Sequence, residues 1–427
     1  MHPLLLLAAS LAATAGERPK SADKKATRIH REARQVWIRC VVARDGGDEV
    51  GCLREYLGAY ESATVRARGE DWPAHVPDVP AARKRLDELL LDEAERALRA
   101  EATDSWQALA ATLDNPGEAE IEAIQAWLDE WSMKSVTAGQ SRRPVEPAEL
   151  LEARDALHRV VREARRVVMP AGPWSGKGRT TSKPPAVAPR LVERSAKKNS
   201  VIDDARWFRD QDWTLPVVMR GPGATSTRIP TLRGEHAAGV DDRLDGEPLR
   251  MVIVDGDLRL GIYGAGAVRT RLGIHEAQGG SLIRSFDLSA WTRAPETRRG
   301  DERFVDQSLT WAQAREGVVY VSHDHRTYAR ASMGHNAYLS AIDIETGSLL
   351  WRSEPLVCNS RNFVVHDDLI YCGYGFTSEP DFLTVIDRHS GALLQKTKLK
   401  TGPDYLLLRD DTLYVRTYDM DYVFELQ

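Results

Sequence analysis

Helical periodicity in the first 170 residues and a strand-rich repeat of about 45 residues in the last 220 predict two folds in one chain. The expected class is multidomain α plus all-β: an N-terminal helical bundle followed by a C-terminal β-propeller of four or five blades. A third observation separates the two, a stretch rich in Pro, Gly, Ser and Lys that has linker composition. The predicted boundaries are 1–16 for a signal peptide, 17–170 for the helices, 171–204 for the linker and 205–427 for the propeller.

The chain opens with an apolar run from Leu4 to Ala15 that ends in Ala13-Thr14-Ala15, the small-residue pattern a signal peptidase accepts. Crossing a bilayer takes about 20 apolar residues, so this shorter run reads as a cleaved leader rather than an anchor. No later segment reaches spanning length, and no Cys follows the leader for acylation. The expected location is therefore periplasmic or extracellular, without a lipid tail. With 63 acidic and 58 basic residues the net charge is −5, which does not favour nucleic acid as a partner. Twelve Lys or Arg against three acids between Arg154 and Lys198 read as a solvated helix face and linker.

The helical stripes are Leu86, Leu89, Leu90, Ala94, Ala97 and Leu98, with Pro80 at the helix start; Ile121, Ile124, Leu128 and Trp131; and Leu150, Leu157, Val161, Ala164 and Val168. Each needs a partner face, and a bundle of four to six helices supplies it. Cys40 and Cys52 lie equally far on either side of Gly46, so a hairpin at "DGGD" would bring the two sulfurs together as a disulfide. Cys358 and Cys372 would pair only if the chain before Arg361 folds back, because a hairpin at His366-Asp367-Asp368 otherwise leaves them about 13 Å apart.

In the C-terminal half, "GVVYVS", "LIYCGY" and "TLYVRT" align on Tyr320, Tyr371 and Tyr414, at intervals of 51 and 43. "AIDIETGSLLW" and "VIDRHSGALLQ" align on Gly347 and Gly391, 44 residues apart. A weaker copy, "GIHEAQGGSLI", puts His275 where the others have Asp. Four units are delimited, near 249–291, 308–353, 361–400 and 404–427, and the last stops after its third strand. "WTLPVVMRG", Trp213 to Gly221, is the expected closing strand, since closure removes free edges. A fifth blade from 205–247 is the alternative.

Ala341, Asp343, Gly347 and Trp351 match the tryptophan-docking motif A-x-D-x-x-x-G-x-x-x-W, and Asp387 and Gly391 repeat it with Val385 and Gln395 at its ends. In these residues the chain resembles the quinoprotein alcohol dehydrogenase-like propellers with PQQ-like repeats. The resemblance covers roughly Leu249 to Gln427 and implies a fold, with Asp and Gly shaping a turn and the indole packing between blades. Quinone-dependent members of that superfamily have about eight blades and an adjacent Cys-Cys pair; this chain has neither, so no cofactor is assigned. The eight-bladed outer-membrane assembly lipoprotein with similar repeats also differs in blade number and lipidation.

Several segments invite a chemical reading. His323, His325 and His335, with Asp324, could bind a metal, because alternate strand residues share a face. "GPWSGKGRT" imitates a phosphate loop, but Gly172 and Gly176 have the wrong separation and Gly178 stands where Ser or Thr is needed. "DDRLDGE", Asp241 to Glu247, has Arg243 at a calcium-ligand position and Val252 where the bidentate Glu belongs, so it reads as a turn. Tyr374, Phe376, Glu379 and Asp381 in one inter-strand loop, and Tyr418, Asp419 and Asp421 in its equivalent one repeat later, are the candidate ligand or partner rim. The leading expectation is a non-enzymatic exported interaction protein with an envelope protein or polysaccharide as partner. The alternative is a polysaccharide hydrolase or lyase using Glu379 with Asp381, or Asp419 with Asp421.

Overall fold

The computed structural model describes residues 21–42, 48–61, 64–65, 74–75, 78–113, 117–172, 189–196, 201–220 and 229–426. The leader expected at 1–16 and the phosphate-loop imitation after Gly172 lie outside these residues. Two compact units divide after Val160.

The first unit holds α1 (Ser21–Val42), α2 (Glu49–Tyr60), α3 (Val79–Ala110), α4 (Glu118–Trp131) and α5 (Glu149–Ala164). Pro80 sits in the first turn of α3 as predicted, where its missing N–H is not needed. The 32 residues of α3 serve two cores in turn. Near its start, Val79, Ala82 and Leu86 pack with Leu53, Tyr56 and Leu57 of α2 and Ala33 of α1. Further on, Ala102 and Trp106 meet Ile124, Trp127, Leu128 and Trp131 of α4 and Ala153, Ala156 and Val160 of α5. The Cys40–Cys52 disulfide is present, with Cα atoms 5.4 Å apart. A strand pair the periodicity did not announce, Ser135–Ala138 with Ser141–Pro144, places Val136 and Ala138 against Leu91.

The second unit contains four sheets built on one plan, four antiparallel strands that run up and down and are consecutive in the chain in all but the last sheet. The first has Glu247–Asp255, Leu258–Tyr263, Arg271–Glu276 and Leu282–Asp287. The second has Ser308–Arg315, Val318–Asp324, Tyr338–Asp343 and Leu349–Arg352. The third has Val364–His366, Leu369–Tyr374, Phe382–Asp387 and Leu393–Lys398. The fourth has Pro403–Arg409, Thr412–Thr417 and Met420–Glu425, and its fourth strand is Arg190–Ala196. This repetition is consistent with a propeller. Among the described residues no fifth sheet of this kind is present; 201–210 form helix α6 (Val201–Asp210) instead.

Three expectations change. The unfinished fourth sheet is completed by Arg190–Ala196, from the stretch read as linker, where Arg190 pairs with Glu425. Val217–Met219 adds to the first sheet beside Glu247–Asp255, where its apolar Val217 and Val218 are buried, while Arg190–Ala196 is exposed along its whole length, as an edge strand is. The α5 stripe stops at Ala164, and Arg166–Val168 becomes a strand parallel to Leu282–Asp287, held by Arg166 pairing with Asp245 and Asp287. "DDRLDGE" is indeed a tight hairpin, with Asp245 and Gly246 both at positive φ.

The two motif corners are superimposable in their bonding. Asp343 accepts from Thr346 N (2.6 Å) and Thr346 Oγ1 (2.8 Å), and Gly347 N donates to Asp343 O. Asp387 accepts from Ser390 N (2.7 Å) and Ser390 Oγ (2.6 Å), and Gly391 N donates to Asp387 O. Both glycines have φ near +70°, a region costly for other residues. The Trp351 indole lies on Gly391, where a Cβ would overlap the ring, and donates Nε1 to Arg388 O at 3.0 Å. In the weak copy, Glu276 N bonds Ser281 O as Asp343 N bonds Ser348 O, so Glu276 and not His275 holds the Asp position. That register makes Arg284 the counterpart of Trp351, and its Nε donates to Ile344 O at 3.1 Å while Val167 covers Gly347.

First strands of all four sheets meet around one cavity of about 250 Å³, lined by Ile253 to Asp255, Trp311 to Gln313, Phe363 to Val365 and Leu406 to Leu408. Neighbouring inner strands are tied by polar side chains. Asp255 accepts from Ala314 N, Gln313 from Val365 N at 3.1 Å, and Asn362 exchanges two bonds with Leu406.

Candidate functional site

In an up-and-down sheet, the connections from second to third strand and from fourth strand to the next sheet fall at the same end. A cleft of about 630 Å³ opens at that end of the third and fourth sheets. Phe376, Thr377 and Asp381 reach it from the third sheet's second connection, Tyr418 and Asp419 from the fourth sheet's, and Thr401 to Asp404 from the link between them. Arg326 and Asn359 complete the wall. Four of the seven predicted rim residues, Phe376, Asp381, Tyr418 and Asp419, therefore come together.

The other three support the wall. The Tyr374 hydroxyl donates to Glu379 Oε2, and Ala329 N donates to Glu379 Oε1 at 2.8 Å, which ties the second sheet's loop to the third's. Burial and that bond push the Tyr374 pKa upward. Asp421 forms a two-point pair with Arg416 at 2.8 and 2.9 Å, and Arg416 also reaches Asp204 of α6 at 2.7 Å. The expected couples Glu379 with Asp381 and Asp419 with Asp421 are thus replaced by Asp381 facing the same cleft as Asp419.

These two carboxyls have opposite environments. Asp381 is 9 % exposed, and its Oδ1 has no hydrogen-bond partner among the described residues. It presses on Gly375, where a Cβ would overlap the carboxylate and the Gly402 backbone. Burial first, then the charges of Asp419 and Glu379, raise its pKa to about 6. For Asp419, burial acts upward too, but hydrogen bonds from Lys400 (2.8 Å) and Thr401 (2.6 Å) outweigh it and hold the group below the ordinary carboxylate range. Tyr418 is 61 % exposed, and Phe376 is braced edge-on by Tyr328 with centroids 5.0 Å apart.

The histidines are not gathered as the sequence reading required. His323 lies buried between the Trp291 and Tyr338 rings, at 5.2 and 5.5 Å, and burial holds its pKa well below the usual value. His325 Nε2 bonds Ser332 Oγ at 2.7 Å, and burial lowers its pKa to about 4. His335 Nδ1 faces the Tyr338 hydroxyl at 3.1 Å. Among the described residues no three His, Cys, Asp or Glu side chains cluster as a metal site. Each imidazole is committed to a different neighbour.

Cys358 and Cys372 are both buried and unbonded. The chain before Arg361 does fold back: Asn359 N and Ser360 N donate to Gly373 O, which brings the Cys358 thiol beside that of Cys372.

Arg326, Asn359, Thr401, Gly402 and Asp404 were missed by sequence reasoning. Their signal was topological, since they lie just after or just before strands that the repeat had already located.

No family model and no curated protein matches the sequence. Among solved structures the chain is similar to the computationally designed Ika4 protein, at 13 % identity and a TM-score of 0.27, over 41 % of this chain and 88 % of that one. It is also similar to BamB from Moraxella catarrhalis, at 12 % identity and a TM-score of 0.24, over 41 % of this chain and 57 % of BamB. Among the described residues no helix is long and apolar enough to cross a membrane.

Proposed function

We propose that the chain is an exported, non-enzymatic ligand-binding protein, in which the four sheets form a four-bladed propeller of PQQ-like repeats and the cleft at Phe376, Asp381, Tyr418 and Asp419 is the binding site. One observation carries the site: loops of successive sheets converge on a cleft large enough for a small ligand or one residue of a larger partner, with aromatic and acidic groups in its wall. The radial arrangement draws support from the common cavity of the four first strands and from the Trp351 dock on the next sheet's corner. Export draws support from the leader-like sequence and from the Cys40–Cys52 disulfide, a bond that persists in oxidising compartments. An envelope protein or a polysaccharide remains the expected partner class.

The test is a photo-crosslinking side chain substituted at Tyr418, with the same group at exposed Met133 of the helical unit as control. A discrete adduct in the native envelope from position 418 alone is the expected result. Equal labelling from both positions, or none from 418, overturns the site. Export is checked by sequencing the N-terminus of the mature protein, expected at Gly16 or Glu17.

A second reading has one observation in its favour. Asp381 and Asp419 line one cleft with pKa values pushed apart, the asymmetry an acid and base pair needs for glycoside hydrolysis. Release of reducing ends from an envelope polysaccharide, abolished in Asp419→Asn, would establish it in place of simple binding.

A further inference from the structure

Counting charges around the cleft shows one group the protein leaves unmatched. Arg326 pairs with Asp324 at 3.2 Å, Arg361 with Asp404 at 3.5 Å and Lys400 with Asp419 at 2.8 Å. Glu379 is served by the Tyr374 hydroxyl and Ala329 N. Asp381 remains, deep in the wall and with Oδ1 unpartnered, and of the charged side chains that line the cleft, Asp381, Asp404 and Asp419 stand against Arg326 alone.

A carboxylate removed from water without a counter-charge destabilises the fold that holds it. A bound cation offsets that cost. Phe376 and Tyr418 add ring faces that attract a cation through their quadrupoles. Gly375 O in the same wall already accepts from Asn359 Nδ2 at 3.0 Å, whereas Asp381 Oδ1 has no donor among the described residues.

We propose that the cleft binds a primary ammonium group, with Asp381 as its counter-ion and Phe376 and Tyr418 as its aromatic walls. This rests on the reading of the cleft as the ligand site. An amino sugar and a lysine side chain both present this chemistry, and the experiment separates them.

Purified mature protein is titrated calorimetrically with glucosamine and with Nα-acetyl-lysine methylamide. N-acetylglucosamine and Nα-acetyl-norleucine methylamide are the uncharged controls. Binding of either amine, with its control at least about 30-fold weaker, is expected, and the amine that binds names the frame. Asp381→Asn should lose a similar factor. Tyr418→Ala, at an exposed position that does not endanger folding, should lose severalfold. Because Asp381 gains a proton near pH 6 while the amines stay charged, wild-type affinity should fall about tenfold from pH 7 to pH 5, and Asp381→Asn should be flat.

Equal binding of amine and control, or a pH profile unchanged in Asp381→Asn, overturns the ammonium but leaves the cleft as a ligand site. No binding of any probe, together with a specific crosslink at Tyr418, also overturns the ammonium alone. Failure of the crosslink removes the cleft itself.

Discussion

The second and third sheets carry equivalent connections, from Asp324 to Tyr338 and from Tyr374 to Phe382, and use their polar side chains differently. In the former, Asn336 spans the loop: its Oδ1 accepts from His325 N at 2.8 Å and its Nδ2 donates to His325 O at 3.3 Å. His325 Nε2 in turn meets Ser332, while Nδ1 has no hydrogen-bond partner among the described residues. In the latter, Asp381 is buried and unanswered on one oxygen. Each loop buries a polar atom without a hydrogen-bond partner, a ring nitrogen of His325 in one and a carboxyl oxygen of Asp381 in the other, and of these two residues only Asp381 lines the cleft.

The largest effect expected from breaking this contrast is at Asn336. Replacing it with Ala strands the His325 N–H and C=O in a buried setting, and about 3 kcal/mol of stability should go. The urea midpoint, followed by tryptophan fluorescence, measures it. A loss under about 1 kcal/mol would mean water serves the loop and the two connections differ less than their bonding implies.

Next comes acid sensitivity. His325 is neutral in the fold down to a pKa of about 4, whereas the unfolded chain takes up that proton near pH 6.5. A folded value below the unfolded one means stability is full above pH 6.5 and is lost as pH falls toward 4. Between pH 7 and pH 5 the wild type should lose about 2 kcal/mol more than His325→Gln. Parallel losses in the two proteins would show that the imidazole is not sequestered. His323, stacked between rings, acts in the same direction.

Much of this architecture is legible in the chain because turns are local. Asp343 with Gly347 and Asp387 with Gly391 specify their corners through bonds within five residues, and the repeat spacing follows from them. What the sequence concealed depends on distant partners. Arg284 does at the first sheet what Trp351 does at the second, yet nothing in the composition of Arg equates it with an indole. Arg190–Ala196 closes the fourth sheet through backbone bonds that any extended segment can make, so its charged sequence gave no reason to prefer it over Val217–Met219. The site was half legible for the same reason. Phe376, Asp381, Tyr418 and Asp419 share a repeat position, while Glu379 is committed to Ala329 N of the second sheet and Asp421 to Arg416, its cross-strand neighbour, which α6 also holds through Asp204.

The smallest effect is the most diagnostic. If Asp381 is a ligand group that the fold tolerates rather than uses, Asp381→Asn should not destabilise the protein, in contrast to Asn336→Ala. At pH 8 the ionised wild-type carboxylate is held above its ordinary pKa by burial and by Asp419 and Glu379, so the amide should be more stable by about 1 kcal/mol. A folded pKa raised above the unfolded one means the wild type gains stability as pH falls from about 6 toward the unfolded value near 4, so the difference should shrink to about half by pH 5. Thermal unfolding of the two proteins at pH 8 and pH 5 reads both the sign and its narrowing. A variant less stable at pH 8 would show that Asp381 has a structural partner, and the two connections would then obey the same rule.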